Sequence, residues 1–184
     1  MNAMRKLNLA VCAVALSVIS STSYAAAGGT VTFNGKLIAD TCQVDTASEN
    51  ITVTLPTLSI QSLAVAEAQD GSKDFEIKVL DCPATLTQVG AHFNAIDSSG
   101  VNPATGNLVN KAPTDAAGNV EVRLYNVDDS SQIRVGSTGN MVNIVKVGAT
   151  PGTANLTYAG GYYATDATTP GEVNAKVEYV LAYN

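Results

Sequence analysis

The sequence predicts an all-β chain folded as an antiparallel sandwich. Three observations carry that prediction. Apolar and polar residues alternate with period two over most of the chain beyond residue 29, clusters of turn-forming residues separate the alternating runs, and only one short stretch has helical spacing. Period-two alternation places every second side chain on one face of a pleated strand, so each run offers one face to a core and one to water.

The first such run, Thr30 to Leu37, puts Val31, Phe33 and Leu37 on one side and Thr30, Thr32, Asn34 and Lys36 on the other, with Gly35 inside the apolar row. Ile51, Val53 and Leu55 alternate with Thr52 and Thr54 until Pro56, which cannot donate to a ladder, stops the strand. Ser62 to Gln69 resembles a helical turn through Leu63, Ala64, Ala66 and Ala68. Phe75, Ile77 and Val79 alternate with Glu76 and Lys78 and lead into Cys82-Pro83. Val120, Val122 and Leu124 alternate with Glu121, Arg123 and Tyr125. Met141 to Val147 and Ala154 to Ala164 are further strand-like runs rich in Val, Ile and Tyr. The last run is the most regular: Val173, Ala175, Val177, Tyr179, Leu181 and Tyr183 form an unbroken odd-numbered row. Turns are predicted at 97–100, 102–106, 116–119, 136–139 and 150–152 from their Gly, Pro, Asn and Asp content. About seven short strands at this spacing predict a sandwich of immunoglobulin type, with no interdomain linker and no fixed repeat.

Composition narrows the function. Hydrophobic residues at 46% and charged residues at 14% support a buried core and argue against global disorder. Ten Lys and Arg against sixteen Asp and Glu give a net charge of −6, the wrong sign for holding a phosphate backbone, so nucleic acid is not an expected partner.

Residues 1–25 read as a secretory signal. Arg5 and Lys6 open it, Leu7 to Ile19 is a mostly apolar run, and Ser23-Tyr24-Ala25 places small residues at −3 and −1 of a cleavage site. The apolar run is shorter than the roughly 20 residues that span a bilayer, and no other long apolar run follows, so the mature chain is not expected to span a membrane. The competing reading is a buried N-terminal helix. Cleavage removes Cys12 and leaves Cys42 and Cys82, an even pair in an oxidising compartment, which reads as one disulfide. A loop of that length is stabilised by about 4 kcal/mol in the chain-entropy picture. Two free thiols in a redox or metal role are the alternative, weakened by the absence of C-x-x-C and by the isolation of His92.

No catalytic set emerges. His92 is the single histidine and reads as a strand residue, and Asp128-Asp129 reads as a polar turn because the spacing of a calcium loop is missing. There is no P-loop or dinucleotide fingerprint. No enzyme activity, cofactor or metal is expected.

The two ends carry the remaining information. An apolar, alternating segment ahead of Cys42 exposes both a face and a backbone edge unless something pairs with it. Gly35 inside it marks either a close approach of another backbone or a tolerated glycine in an ordinary first strand. The run Gly28 to Cys42 resembles the start of type 1 fimbrial subunits, the pilins of the chaperone–usher pathway. Phe75 to Cys82 resembles the pilin strand that carries the second cysteine, and Val120 to Val127 the strand and hairpin that follow it. Gly171, the alternating row and the penultimate Tyr183 resemble the C-terminal β-zipper of that family.

The resemblance implies an incomplete immunoglobulin-like sandwich that lacks its last strand and is completed by a donor strand. It implies a donor-strand arm at 26–40 with Val31, Phe33, Gly35 and Leu37 as the inserted row, and a sandwich domain at 41–184. The groove strand would carry Gly171, Val173, Ala175, Val177, Tyr179, Leu181 and Tyr183. Partners would be a periplasmic chaperone, an outer-membrane usher, and other copies of the chain or related pilins, joined head to tail in a surface fimbria that supports cell adhesion. The reading favours the major rod subunit; a minor adaptor pilin is the nearest alternative. A secreted carbohydrate-binding sandwich, with Tyr158, Tyr162 and Tyr163 as stacking platforms, is an alternative of a different class.

Overall fold

The computed structural model describes residues 29–37, 41–148 and 151–184. The predicted signal (1–25), residues 26–28 and 38–40 of the predicted arm, and Thr150 in the last predicted turn lie outside the described residues. The chain divides into two units, Met1–Leu37 and Ile38–Asn184. In the first, residues 29–37 take part in no strand ladder, and Val31, Phe33 and Leu37 are 78%, 91% and 99% exposed. Alternation by itself does not make a strand, because an isolated run leaves its backbone groups without a ladder.

The second unit is an antiparallel two-sheet sandwich. One sheet contains β1 (Gln43–Val44), β2 (Gln69–Cys82), β4 (Leu108–Val109), β5 (Val120–Asn126), β6 (Gln132–Ile133) and β8 (Gly152–Ala164), in the order β1-β2-β8-β5-β4 with β6 also on β5. The other contains β3 (Gln88–Asn94), β7 (Val142–Asn143) and β9 (Glu178–Tyr183), in the order β7-β3-β9. Only short 3₁₀ turns, Thr46–Ser48 and Ile60–Leu63, interrupt the β structure among the described residues. Ser59 caps the second by accepting from Gln61 N, and Leu63 anchors it by burial.

Register aligns the apolar rows. Phe75, Ile77 and Val79 lie opposite Tyr158, Leu156 and Ala154, and Val89, Ala91 and Phe93 lie opposite Tyr183, Leu181 and Tyr179. Ile77, Leu156, Val79, Val89 and Ala91 are fully buried between the sheets. Phe93 and Tyr158 meet edge to face across the sandwich, ring centroids 5.2 Å apart. The buried Tyr158 hydroxyl is used twice. It accepts from Ala91 N of β3 at 3.0 Å and donates to Asn140 O at 3.1 Å, tying one sheet to the other. Cys42 and Cys82 are joined, fixing the chain ahead of β1 to the end of β2.

Several elements differ from expectation. β2 begins at Gln69 rather than at Phe75, because β8 is long enough to pair with its polar first half through a register shift between Asp70 and Lys73. β3 carries the alternating Val89, Ala91 and Phe93 but is broken by Gly90 and His92, which hid it in the sequence. β4 and β6 are too short to show a period. The predicted strand over Ile51–Leu55 keeps its alternation, odd residues half-buried and Thr52 and Thr54 exposed, yet joins no ladder. Only the second half of the final run, β9, is paired as a strand. Glu121, which alternation places on the solvent face, is 5% exposed. The loop 102–107 folds over it and supplies Asn102 Nδ2 at 2.6 Å, Thr105 Oγ1 at 2.7 Å and Asn107 Nδ2 at 2.9 Å to its carboxylate. Such a buried charge is tolerable because each oxygen is hydrogen-bonded.

Burial raises the Tyr158 pKa above its ordinary value of 10.0. The folded state therefore favours the neutral hydroxyl, and that stability is complete below about pH 10 and lost as pH rises through the higher folded value. Tyr158→Phe should cost about 1–3 kcal/mol near neutrality, since Ala91 N and Asn140 O lose their partner. Thermal unfolding from pH 7 to 11.5 should show the variant's loss shrinking at the alkaline end; a constant difference would contradict the assignment.

Candidate functional site

One side of the sandwich is open. A groove of about 1440 Å³ runs between the segment 49–60 and the segment 168–179. Its floor is apolar, with Phe75, Phe93, Leu108, Val122 and Leu124 among the lining residues. Its rims share one property: in the stretches 51–55 and 173–177 alternate apolar side chains turn inward and no strand ladder is formed, the ladder to β3 beginning only at Glu178. On one rim Ile51, Val53 and Leu55 are half-buried, and on the other Val173, Ala175, Val177 and Tyr179.

The direction of the free backbone groups follows from β3. Its odd residues are committed to the far side: Phe93 N donates to Ser137 O, Phe93 O accepts from Gly136 N, and Ala91 O accepts from Gly139 N. Its even residues are left for β9, pairing Gly90 with Ala182, His92 with Val180 and Asn94 with Glu178. The final run thus uses its even-numbered N–H and C=O groups on the β3 side. Those of Val173, Ala175 and Val177 face the opening and have no backbone partner among the described residues.

Both ends of the opening are closed by specific contacts. At the β9 end the Tyr179 hydroxyl donates to Ser48 O at 2.6 Å, and Cys42 N donates to the Tyr183 hydroxyl at 3.1 Å. These two tyrosines reach from the last strand to the segment held by the disulfide. The predicted row from Val173 to Tyr183 is therefore divided: Val173 to Tyr179 lines the opening, while Leu181 and Tyr183 lie beyond it. Burial raises the pKa of both hydroxyls, with Glu49 adding to the effect at Tyr179.

At the other end stands Gly171, with φ +154°, a backbone conformation that side chains rarely adopt. Any Cβ there would run into Asp115 O and Ala117 N. The turn 115–117 is held against the next residue by Glu172 N donating to Asp115 O and Ala117 N donating to Glu172 O. Asn110, which sequence reasoning missed, sits beside this junction. Its amide donates to Glu172 O at 2.8 Å and Ala117 O at 3.0 Å, and its carbonyl accepts from Asn174 N at 2.9 Å and Ala112 N at 3.0 Å. An isolated Asn in a polar stretch gives no sign of such a role.

Nothing in the groove resembles a reaction centre. His92 lies in β3 and bonds Thr138 Oγ1 at 2.9 Å. Asp128 and Asp129 form a turn braced by the Asn140 amide. The tyrosines considered as sugar platforms do not form one. Tyr158 is in the core, Tyr162 donates to Pro56 O, and Tyr163 lies under the Arg123 guanidinium at 3.8 Å. No helix among the described residues is long and apolar enough to cross a membrane.

Comparison with known proteins agrees with this geometry. The family described as "Type-1 fimbrial protein, A" matches residues 55–184. The chain is 35% identical over 170 residues to the F17 fimbrial protein of Escherichia coli, covering 91% of this chain and 94% of that one. It is 36% identical over 173 residues to the major fimbrial subunit SMF-1 of Stenotrophomonas maltophilia, covering 86% and 94%. It is 33% identical over 190 residues to the minor fimbrial subunit HifD of Haemophilus influenzae, covering 98% and 83%. In fold it is similar to the crystal structure of the P pilus rod subunit PapA, with TM-score 0.59 and 18% identity over 79% of this chain and all of that one.

Gly171→Val should abolish accumulation of folded protein, because neither the backbone angle nor the Asp115–Ala117 turn can accept it. Gly171→Ala should behave nearly as badly, as seen in steady-state levels after secretion. Normal yield of either would show that the turn can move.

Proposed function

The chain belongs to the type-1 fimbrial protein family, whose members are structural, non-enzymatic subunits of surface fimbriae, and from that premise we propose that it polymerises by donating residues 26–40 to the groove of a neighbouring copy. The observation that carries this reading is the pair of half-buried stretches, 51–55 and 173–177, that lie outside any ladder on either side of an apolar groove. An added strand would meet what each rim lacks, a backbone partner and apolar side chains for the floor.

The proposed donor matches the opening in length. Val31, Phe33, Gly35 and Leu37 are alternate positions over the same span as Val173, Ala175, Val177 and Tyr179. Its three apolar side chains are exposed in the copy described. Burying each is worth roughly 1.5–3 kcal/mol, and each ladder hydrogen bond adds about 0.5–1.5 kcal/mol net. Gly35, the one position of the donor row without a side chain, would lie where the two backbones approach most closely. Donor and groove belong to different parts of the chain, so the contact is heterologous and propagates head to tail into a filament.

An open apolar groove in a freshly exported chain is an aggregation hazard. A periplasmic chaperone would cover it with a strand of its own and an outer-membrane usher would exchange that strand for the next subunit's arm. The single sandwich unit, with groove and donor both present, supports a major rod subunit that gives and receives. The similarity to HifD across nearly the whole chain favours, as a second reading, a minor subunit at a fixed place in the fibre.

Deleting residues 26–37 after the signal should remove the chain from surface filaments while leaving folded sandwich in the periplasm. Electron microscopy with an antibody to this chain reads the outcome, and labelled filaments of normal length would sink the proposal. Gly35→Leu should cut filament yield sharply while the chaperone-bound form persists, measured by subunit in the sheared surface fraction.

A further inference from the structure

We propose that Asn110 is a positioning residue for strand capture, acting as a substitute stretch of β backbone that holds the Gly171 end of the groove ready. This rests on the strand-donation reading above. β3 ends at Asn94 opposite Glu178, so upstream of Glu178 the final run has lost the neighbour that satisfies its even-numbered backbone groups. The loop 110–117 takes over. Lys111 N donates to Asn174 O at 2.7 Å, Asn110 Oδ1 accepts from Asn174 N, and Asn110 Nδ2 donates to Glu172 O. The carboxamide supplies one donor and one acceptor to the 172–174 stretch, as a residue of an adjoining strand would. Its remaining donor and lone pair are spent on Ala117 O and Ala112 N, which fix the loop that carries it.

The held residues form the groove rim itself. With Glu172 and Asn174 pinned on one edge, Val173 and Ala175 are left extended, their backbone groups turned to the opening. Without Asn110 the stretch keeps Glu172 on the 115–117 turn and Asn174 O on Lys111 N, but Asn174 N loses its partner and Glu172 O one of its two, so an incoming strand would have more of it to order at the moment of contact. Asn110 therefore removes an ordering cost at one end of the groove, whereas the opposite end is held independently by Tyr179 and Tyr183. The effect on capture must be local to one end of the donor.

That locality is the test. The full exported chain, purified from the periplasm as it stands and as Asn110→Asp or Asn110→Ser, is mixed with excess synthetic peptide of residues 29–37. Two further peptides carry Val31→Ser or Leu37→Ser, and native mass spectrometry follows the one-to-one adduct in time. In the unmodified chain both substituted peptides should be captured more slowly. In the Asn110 variants the parent peptide should be captured about tenfold more slowly, the scale of two lost hydrogen bonds. One of the two end substitutions should then add almost nothing, while the other keeps its full penalty. Asn110→Asp keeps the acceptor and the size of the side chain; Asn110→Ser avoids a new charge, and either suffices. Equal slowing of all three peptides, or no slowing, would overturn the assignment by showing a general stabilising role or none. If the unmodified chain captures none of the peptides, strand donation itself fails, and this inference with it.

Discussion

The structure depends on one constraint: a β-run that buries a face also needs partners for its backbone edges, whether strand, side chain or water. The final run of the chain meets this on one edge only. β3 and the Asn110 loop take its even-numbered backbone groups, and Val173, Ala175 and Val177 keep theirs turned to an opening. Across that opening Ile51, Val53 and Leu55 show the same half-burial and belong to no ladder. These two stretches beside an apolar floor are the geometry on which the strand addition proposed above rests, since an added strand would be limited in conformation by backbone spacing and in side chains by the floor.

The remainder of the sandwich is reinforced around that opening. The disulfide anchors the first segment to β2, the Tyr158 hydroxyl joins the sheets behind the groove, and the Tyr179 and Tyr183 hydroxyls join the last strand to residues 42–48. Each acts without occupying the open edge. A chain with an open groove forgoes part of its hydrophobic stabilisation, and a covalent loop worth about 4 kcal/mol offsets part of that loss.

Alternation made the class of fold legible, and it did so wherever one face is buried along a whole strand, as in β5, β8 and the last run. It failed where tertiary contacts decide. Ile51–Leu55 carries a strand's pattern and lacks a ladder, since pattern records which face is wet and not whether the edge is paired. Glu121 reads as a solvent-facing residue and is buried by a loop whose path no local signal encodes. Gly171 was visible as a glycine at a family-like position, but its reason is the backbone of the 115–117 turn, more than fifty residues away in sequence. Asn110 was invisible, because an amide that imitates backbone has no spacing rule.

The same constraint explains why the two ends of the groove are closed by different means. At the β9 end the rim already has a long partner strand, so two side-chain hydroxyls are enough to set where the opening stops. At the Gly171 end the partner strand has run out, and the chain must be held extended by a turn packed so tightly that no Cβ fits. With both ends held before contact, the ordering cost of the strand addition proposed above would fall on the stretch between them, around Ala175 to Val177.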